Sequence, residues 1–391
     1  HYLECIDWQS QVTKIHTIFG GKNPHPNFLV GGAPAPISND PSSATGGAAA
    51  TAVNIVAFGR IRDIIERMRA FVDQVYVPDT IAIASFYKDW FRRGEGLGNF
   101  MTYGDFPSEG LDDPTSRMIP AGVILDRDLS RIHAVDLHDP AQIQEFIGHS
   151  WYDYAGGKDI GLHPYDGETR LNYSGPKPPF EFLDVEGSYS WLKAPRWKGK
   201  AMEVGPLARV LMLHASGHEP TRDLAGNVLQ ALDLPLAALF STLGRTAARG
   251  LECQWSAHKM RYFYDQLIAN IKAGDLATAN VEKWEPSTWP KEAKGVAPCE
   301  APRGALAHWV KIKDTKIDSY QCVVPTTWNA GPRDARNQIG AYEAALLNTP
   351  MVNPAQPLEI LRTIHSFDPC LACATHVMSP EGEELVSVKV R

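Results

Sequence analysis

The sequence lacks the features of several large classes of protein. It contains no run of about 18 apolar residues, so no segment is predicted to span a membrane. Its net charge is −7, and an acidic chain has no electrostatic reason to bind nucleic acid. Six cysteines are scattered through 391 residues, which argues against a disulfide framework. No positively charged start followed by an apolar run is present, so no signal peptide is predicted.

The hydrophobic content of 44% is sufficient for a large core. Apolar residues recur at helical spacing over 61–75, and Pro78 is expected to end that helix. Asp79 is expected to cap a second helix that runs to about Arg93. Residues 95–200 are rich in glycine, proline, tyrosine and aspartate with short β-like runs, which predicts a loop-rich layer of small sheets.

The second half of the chain returns to helical periodicity over 221–273, with Pro235 separating a short helix from a long one. Residues 305–324 alternate as two strands around Asp314-Thr315. Helices are expected over 333–347 and 356–365, and a final strand over 385–390. We therefore predict an α+β fold that is mainly α, with a central bundle of long helices, small peripheral β-sheets and a single domain over the whole chain.

A metal-binding pattern lies near the end of the chain, in Cys370-x-x-Cys373-x-x-His376. Two thiolates at this spacing can reach one ion from a single turn, and thiolates select ions such as nickel, zinc or iron. The preceding Asp368-Pro369 predicts extended backbone at Asp368 and a fixed φ at Pro369. The pattern therefore predicts rigid presentation of a ligand.

Other interpretations of the cysteine pair are weaker. A zinc knuckle needs four ligands, and no second CxxC exists in the chain. A thioredoxin-type pair would follow a strand in an early βαβ unit, and a c-type haem site needs histidine where Ala374 stands. Two buried, purely structural cysteines remain the plain alternative.

The string from His365 to His376 resembles the C-terminal motif of nickel–iron hydrogenase large subunits. Details of the resemblance favour the membrane-bound uptake group. Further segments that resemble the family are Tyr189–Arg196, Val204–Arg209, Glu300–Gly304 and Val323–Asn329.

The resemblance implies metal-binding roles for four residues. Cys370 corresponds to the terminal nickel thiolate, and Cys373 to a thiolate that bridges nickel and iron. His376 resembles a magnesium ligand, and the backbone carbonyl of Cys322 falls where the family supplies another magnesium ligand. The iron is expected to bear CN and CO ligands.

The resemblance also implies a pocket around the metal pair. Arg303 matches a guanidinium above the open face of the nickel–iron pair, where a permanently charged donor can assist proton transfer. Asp368 and Pro302 resemble the rest of that pocket. Thr326 resembles a hydroxyl that donates to an iron-bound cyanide, and the Val324-Pro325 backbone lines the same region.

The implied function is reversible heterolytic oxidation of H2. Electrons must leave through iron–sulfur clusters, for which this chain has no cysteine set, so a cluster-bearing small subunit is expected as partner. A maturation endopeptidase, nickel-insertion proteins and a membrane cytochrome b are further expected partners, at the periplasmic face of the cell membrane. The alternatives are a nickel-free subunit of the respiratory complex I type and an inactive fragment.

Two departures from the family pattern are expected. The family holds its metals with four cysteines, and the pair from an N-terminal CxxC has no counterpart here, so the chain is expected to cover roughly the C-terminal two-thirds of such a subunit. Family members are cut after the motif histidine once nickel is inserted. We therefore expect 377–391 to be a maturation extension, removed by cleavage between His376 and Val377.

Overall fold

The protein is described by a computed structural model, in which the chain divides into two compact units. Unit 1 comprises His1–Ile83 and Gly250–Pro290, and unit 2 comprises Ala84–Arg249 and Lys291–Arg391. The single domain over 1–391 stays a prediction. The structure describes residues 1–27, 32, 35–40, 52–109, 114–176, 184–280, 282, 284–370, 374–378 and 384–389, with backbone only in the last two ranges.

The predicted combination of helices and small sheets is confirmed. The α-helices of the described residues are α1 (Tyr2–Val12), α2 (Lys14–Gly20), α3 (Ile55–Phe71), α4 (Val77–Ser85), α5 (Pro206–Ala215), α6 (Glu219–Leu232), α7 (Thr242–Lys272), α8 (Pro325–Ala330), α9 (Ala341–Leu346) and α10 (Leu358–Ser366). The strands are β1 (Phe100–Pro107), β2 (Arg117–Ile124), β3 (Ile143–Phe146), β4 (Tyr152–Asp153), β5 (Arg170–Leu171), β6 (Ala194–Trp197), β7 (Glu292–Ala301), β8 (Gly304–Lys313), β9 (Lys316–Val323), β10 (Ala374–Met378) and β11 (Glu384–Lys389). Every sheet among them has two or three strands.

Unit 1 is a helical unit built on α3. The side chain of Asn54 caps this helix by accepting hydrogen bonds from the Val56 and Ala57 amides, at 3.1 and 3.2 Å. Its buried stripe follows the predicted helical spacing and packs against the second part of α7. The core residues of this contact are Val53, Phe58, Ile61, Ile65, Met260, Tyr264, Leu267 and Ile268.

Pro78 does not end the helix as predicted. A π-helical turn over Val72–Tyr76 follows α3, in which the Val77 amide donates to the Val72 carbonyl five residues back. Helix α4 then runs on through Pro78. Proline lacks an amide hydrogen, and a π turn beside it shifts the hydrogen-bond ladder so that the helix can continue.

The predicted cap at Asp79 is also wrong. Asp79 lies inside α4, and its carboxylate accepts a 2.7 Å hydrogen bond from the imidazole of His1. The helix expected to reach Arg93 ends at Ser85 and is followed by a short 3-10 helix over Lys88–Arg92.

Unit 2 has its core between small sheets and helix α5. The strand pair β1–β2 and the antiparallel sheet β7-β8-β9 supply most of the buried side chains. Helix α5 is buried along most of its length, from Pro206 to Leu213. The large members of the core cluster are Met101, Tyr103, Tyr165, Trp197, Met202, Trp309 and Trp328.

The strand pair predicted over 305–324 is confirmed as β8 and β9. Asp314 and Thr315 join the strands with φ of 49° and 62°, the left-handed values that a tight hairpin turn requires. Strand β7, which completes this sheet, was not predicted. The separation of α6 from α7 after Pro235 is confirmed, with a 3-10 turn over Leu236–Leu239 between them.

The helix predicted over 333–347 exists only as α9. Before it, the Asp334 carboxylate accepts hydrogen bonds from the Arg336 and Gln338 amides at 2.9 and 3.0 Å. The same carboxylate accepts a hydrogen bond from Arg196, a buried guanidinium, at 2.9 Å. Local side-chain hydrogen bonds to the backbone compete with helix formation, so this segment is a loop.

The final strand is confirmed as β11, which pairs antiparallel with β10. His376 lies opposite Ser387 and Val377 opposite Val386, and the register shifts after Val377. Among the described residues, no helix is both long enough and apolar enough to cross a bilayer.

Candidate metal centre

The segment that leads to Cys370 is fixed by the end of α10. Phe367 closes the helix, and the Asp368 amide donates to the His365 carbonyl at 2.9 Å. Asp368 has φ of 56°, so the predicted extended conformation is wrong. The left-handed residue that commonly follows a helix overrides the preference set by Pro369, and aspartate tolerates this conformation better than most residues.

Cys370 is tied to a distant part of the chain. Its amide donates a 3.0 Å hydrogen bond to the Thr326 hydroxyl, which α8 presents from its first turn. Thr326 is 4% exposed, whereas the Cys370 thiol is free and lies on an exposed residue. Since the hydroxyl accepts from Cys370, its hydrogen is available as a donor.

Arg303 stands opposite Asp368. Its Nε atom lies 3.4 Å from Asp368 Oδ1, and this nitrogen is buried without a hydrogen bond within the described residues. Pro302 and Arg303 form the two-residue turn between β7 and β8. Gly304 follows with φ of 134°, and a Cβ there would lie 2.6 Å from the Gly205 nitrogen, so only glycine fits beside this turn.

A second arginine, Arg209, supports the turn that carries Arg303. It is buried in α5 and donates to the Glu300 carboxylate at 3.0 Å. It also donates to the carbonyls of Ala301 and Pro302 at 2.9 and 2.8 Å. The end of β7 is therefore held by a buried, charge-assisted network immediately before Arg303.

Two arginines of α7 also contact the residues that lead to Cys370. Arg249 Nη2 donates to the Ser366 carbonyl at 2.9 Å, and its Nε lies 3.9 Å from Asp368 Oδ2. The Arg245 guanidinium lies 3.9 Å from the centre of the Phe367 ring. Arg209, Arg245 and Arg249 were not predicted from the sequence. The signal was the i, i+4 spacing of the last two on a predicted helix, and the position of the first in a segment that resembles the family.

The remaining predicted residues lie nearby or outside the described set. The Pro302 carbonyl accepts from Arg209, and Val324 caps α8 with Pro325 in its first turn. Cys373 lies outside the described residues. His376 and Val377 have described backbone in β10, and their side chains lie outside the description.

Cys322 lies next to the end of β9. Its sulfur is 3.8 Å from His308 Nε2, and burial, with the nearby charge of Glu145, raises the pKa of its thiol. No hydrogen bond or ion pair within the described residues joins it to Asp368 or Cys370. The contact of the Cys322 carbonyl with a metal ion stays a prediction.

The donors at this site suit a soft or borderline transition metal. Cys370 supplies an accessible sulfur beside an arginine–aspartate pair. Among the described residues, no group of three histidine, cysteine or acidic side chains could hold an ion. The metal-binding roles of Cys370, Cys373 and His376 stay predictions, because Cys373 and the His376 side chain lie outside the described residues.

The described fold combines helices with small sheets, and the site presents an exposed thiol, Cys370, near the Arg303–Asp368 pair. The family model for nickel-dependent hydrogenase matches residues 1–376, and the chain belongs to that family. The chain is 58% identical to the uptake hydrogenase large subunit of Bradyrhizobium diazoefficiens and 51% identical to the hydrogenase-1 large chain of Escherichia coli K12. Both alignments cover 100% of this chain and 66% of the relative.

Solved structures agree with the family. The reduced, active Ni-Fe-Se hydrogenase of Desulfomicrobium baculatum aligns with a TM-score of 0.74 at 29% identity, covering 94% of this chain and 67% of that chain. The predicted fold class is thereby confirmed. The chain spans about two thirds of the length of the relatives it matches.

Proposed function

We propose that this chain is part of the large subunit of an uptake hydrogenase, which oxidises H2 reversibly to protons and electrons at a nickel–iron centre. The observation that carries the proposal is the convergence of Arg303, Asp368 and Cys370 from two distant parts of the sequence. The family match and the likeness to the uptake hydrogenase large subunit of Bradyrhizobium diazoefficiens support it.

Cys370 and Cys373 would hold the nickel–iron pair, with CN and CO on the iron. When bound, the pair supplies the site at which H2 is cleaved heterolytically. Arg303 presents a positively charged guanidinium, whose planar fork carries several N–H donors. Asp368 orients that charge through the 3.4 Å contact, so that Arg303 can polarise H2 or stabilise the proton as it leaves.

Thr326 and its neighbours would form the wall around the diatomic ligands. The Thr326 hydroxyl accepts from the Cys370 amide and can donate to a cyanide nitrogen, while Val324 and Pro325 offer apolar lining. A magnesium ion would be held by the His376 imidazole and the Cys322 carbonyl, whose oxygen is a donor that this ion prefers.

The electrons require a partner. An iron–sulfur small subunit would receive them, because the cysteines of this chain do not form a cluster set. The heterodimer would lie at the periplasmic face of the cell membrane beside a cytochrome b. Nickel-insertion proteins and an endopeptidase would complete the metal site.

The endopeptidase would cut between His376 and Val377. The family match ends at His376, and this bond lies within β10 of the terminal hairpin. Intact-mass spectrometry of active enzyme should show a chain that ends at His376. Retention of Arg391 in fully active enzyme would overturn the assignment.

The catalytic proposal is tested by H2-dependent reduction of benzyl viologen. A full-length large subunit that includes this chain is produced with the small subunit and maturation proteins of an uptake hydrogenase, because four cysteines are expected to hold the metals. It is compared with its Cys370→Ala and Cys299→Ala variants. Cys299, a partly buried residue of β7, is the matched control. We expect activity in wild type and in Cys299→Ala only. Wild-type activity in Cys370→Ala, or a nickel-loaded wild type without activity, would contradict the proposal.

A nickel-free subunit of the complex I type is the weaker alternative. The intact Cys370 and Cys373 and the nickel-dependent family match argue against it. Such a subunit would bind no nickel under conditions in which the maturation proteins are supplied.

A further inference from the structure

Helix α7 contacts the second half of α10 and the residues directly after it at three levels. At its first residue, the Thr242 hydroxyl lies 3.4 Å from that of Thr363, in a fully buried contact. One turn later Arg245 covers the Phe367 ring. A further turn on, Arg249 reaches Ser366 and Asp368. The contacts of α7 therefore extend from α10 towards the metal motif.

Arg245 is held in place by buried hydrogen bonds. It is 2% exposed, and its Nε and Nη2 donate to both oxygens of Glu203 at 2.6 and 2.8 Å. A third donor reaches the Gly94 carbonyl at 2.6 Å. A bidentate buried pair fixes a guanidinium in position and orientation, so Arg245 gives Phe367 a rigid surface.

Arg249 makes the contact that acts on the site. Its side chain spans the Ser366 carbonyl and Asp368 Oδ2, while Asp368 Oδ1 faces Arg303. Asp368 therefore lies between two guanidinium groups, each on a different oxygen. Rotation of the Asp368 carboxylate away from Arg303 would disrupt its contacts with both Arg303 and Arg249.

We propose that Arg249 is a positioning residue, which fixes the Ser366–Asp368 segment and thereby the orientation of Asp368 towards Arg303 and the backbone that presents Cys370. This inference rests on the proposed hydrogenase function for its kinetic consequence, and on geometry alone for its structural one. Arg249 acts through Asp368, and its contacts given above are with Ser366 and Asp368. A group that positions a catalytic partner affects the rate although it does not touch the substrate.

The kinetic test uses the complete heterodimer with Arg249→Gln, Arg249→Lys and the control Arg92→Gln. Arg92 is an exposed arginine of unit 2 whose guanidinium lies over Phe91. We expect Arg249→Gln to lower kcat about tenfold with less than about twofold change in KM for H2. Arg249→Lys keeps the charge but cannot serve both partners at once, so we expect a loss of about threefold.

A double-mutant cycle separates positioning from general structural support. In the Asp368→Asn background, Arg249→Gln should change kcat by less than about twofold, because the residue through which it acts is already altered. An undiminished tenfold loss in that background would show that Arg249 does not act through Asp368, and would overturn the proposal.

Amide hydrogen exchange supplies a readout that does not depend on activity. Arg249→Gln should accelerate exchange at Asp368, whose amide donates to His365, and at Cys370, whose amide donates to Thr326. Exchange across β7–β9 should stay at the wild-type rate, because the variant disturbs one segment and not the whole unit. Unchanged exchange at Asp368 and Cys370, or acceleration throughout the unit, would overturn the proposal.

Failure of the proposed function gives a different result. A wild-type heterodimer without hydrogenase activity would contradict the catalytic proposal and leave the exchange comparison as it stands. Normal wild-type activity together with a kcat for Arg249→Gln equal to that of Arg92→Gln would contradict the positioning role alone.

Discussion

The Cys370 amide donates to the Thr326 hydroxyl across 44 residues of sequence, at 3.0 Å. The contact joins the two segments that resemblance placed at the metal pair, one after α10 and one at the start of α8. Asp368 and Arg303 make a parallel contact two residues earlier in the motif. The site therefore depends on two noncovalent contacts. One joins the C-terminal motif to α8, and the other joins it to the turn between β7 and β8.

Arg303→Lys tests the fixed guanidinium. Lysine keeps the charge but offers a compact ammonium instead of a planar fork, so the contact with Asp368 and the direction of the charge change. We expect kcat for H2 oxidation to fall about 100-fold, within the range for loss of a positioned proton-transfer group. Arg362→Lys, on the exposed side of α10, is the control and should keep wild-type activity. A loss below about threefold for Arg303→Lys would contradict the role.

Thr326→Val removes the hydroxyl that accepts from Cys370 and keeps the shape of the side chain. The loss should lower the free energy of unfolding by about 1 kcal/mol, the usual net value of such a hydrogen bond. Urea denaturation of the variant measures it, with Thr349→Val as a control away from the site. Thr349 donates to the Ala345 carbonyl at 3.4 Å, a longer bond that should contribute less. Equal stability of Thr326→Val and wild type would contradict the contact.

Arg209→Met tests the support behind Arg303. It leaves the buried Glu300 carboxylate without its cation, which should cost about 3–5 kcal/mol of unfolding free energy. The double variant Arg209→Met, Glu300→Gln removes the stranded charge and keeps an oxygen for the Tyr103 amide, which now donates to Glu300 at 2.6 Å. We expect urea denaturation to show the double variant more stable than Arg209→Met. The reverse order would contradict the buried pair.

His163 predicts a dependence of stability on pH. Burial lowers its pKa below the ordinary value of 6.5, and its Nδ1 accepts from the Tyr165 amide. The unfolded chain therefore takes up a proton at higher pH than the folded one. The histidine's contribution is intact above about pH 6.5 and is lost as pH falls below that value.

The measurement is the free energy of unfolding between pH 7 and pH 5. Stability of wild type should fall over this range more steeply than that of His163→Gln, in which the titrating group is absent. His16→Gln removes an exposed histidine of unit 1 and is the control. Identical slopes for wild type and His163→Gln would contradict the assignment.

The sequence predicted the fold where local patterns match the final packing. The stripe of α3, the hairpin turn at Asp314-Thr315 and the break near Pro235 all obey local rules of periodicity and turn chemistry. It failed at Pro78 and at Asp334, where a π turn and a set of side-chain hydrogen bonds override the local preference. Strand β7 was missed because its pairing is defined by β8 and not by its own pattern.

The site residues also fall into two groups, those that could be identified from the sequence and those that could not. The motif residues could be identified because their spacing and resemblance are local properties of the sequence. Arg209 and Arg249 could not, since an arginine on a helix is normally exposed, and their roles depend on carbonyls more than 90 residues away in sequence. The left-handed Asp368 was mispredicted because the end of α10 determines its conformation.

The most direct test is the nickel content of the purified heterodimer, measured by inductively coupled plasma mass spectrometry after production with the maturation proteins. Nickel is more diagnostic than iron, because the partner's clusters also contain iron. The account predicts nickel in amounts stoichiometric with the chain for wild type and Cys299→Ala, and none for Cys370→Ala. A wild-type heterodimer that oxidises H2 without nickel, or a Cys370→Ala variant that retains the full amount, would contradict it.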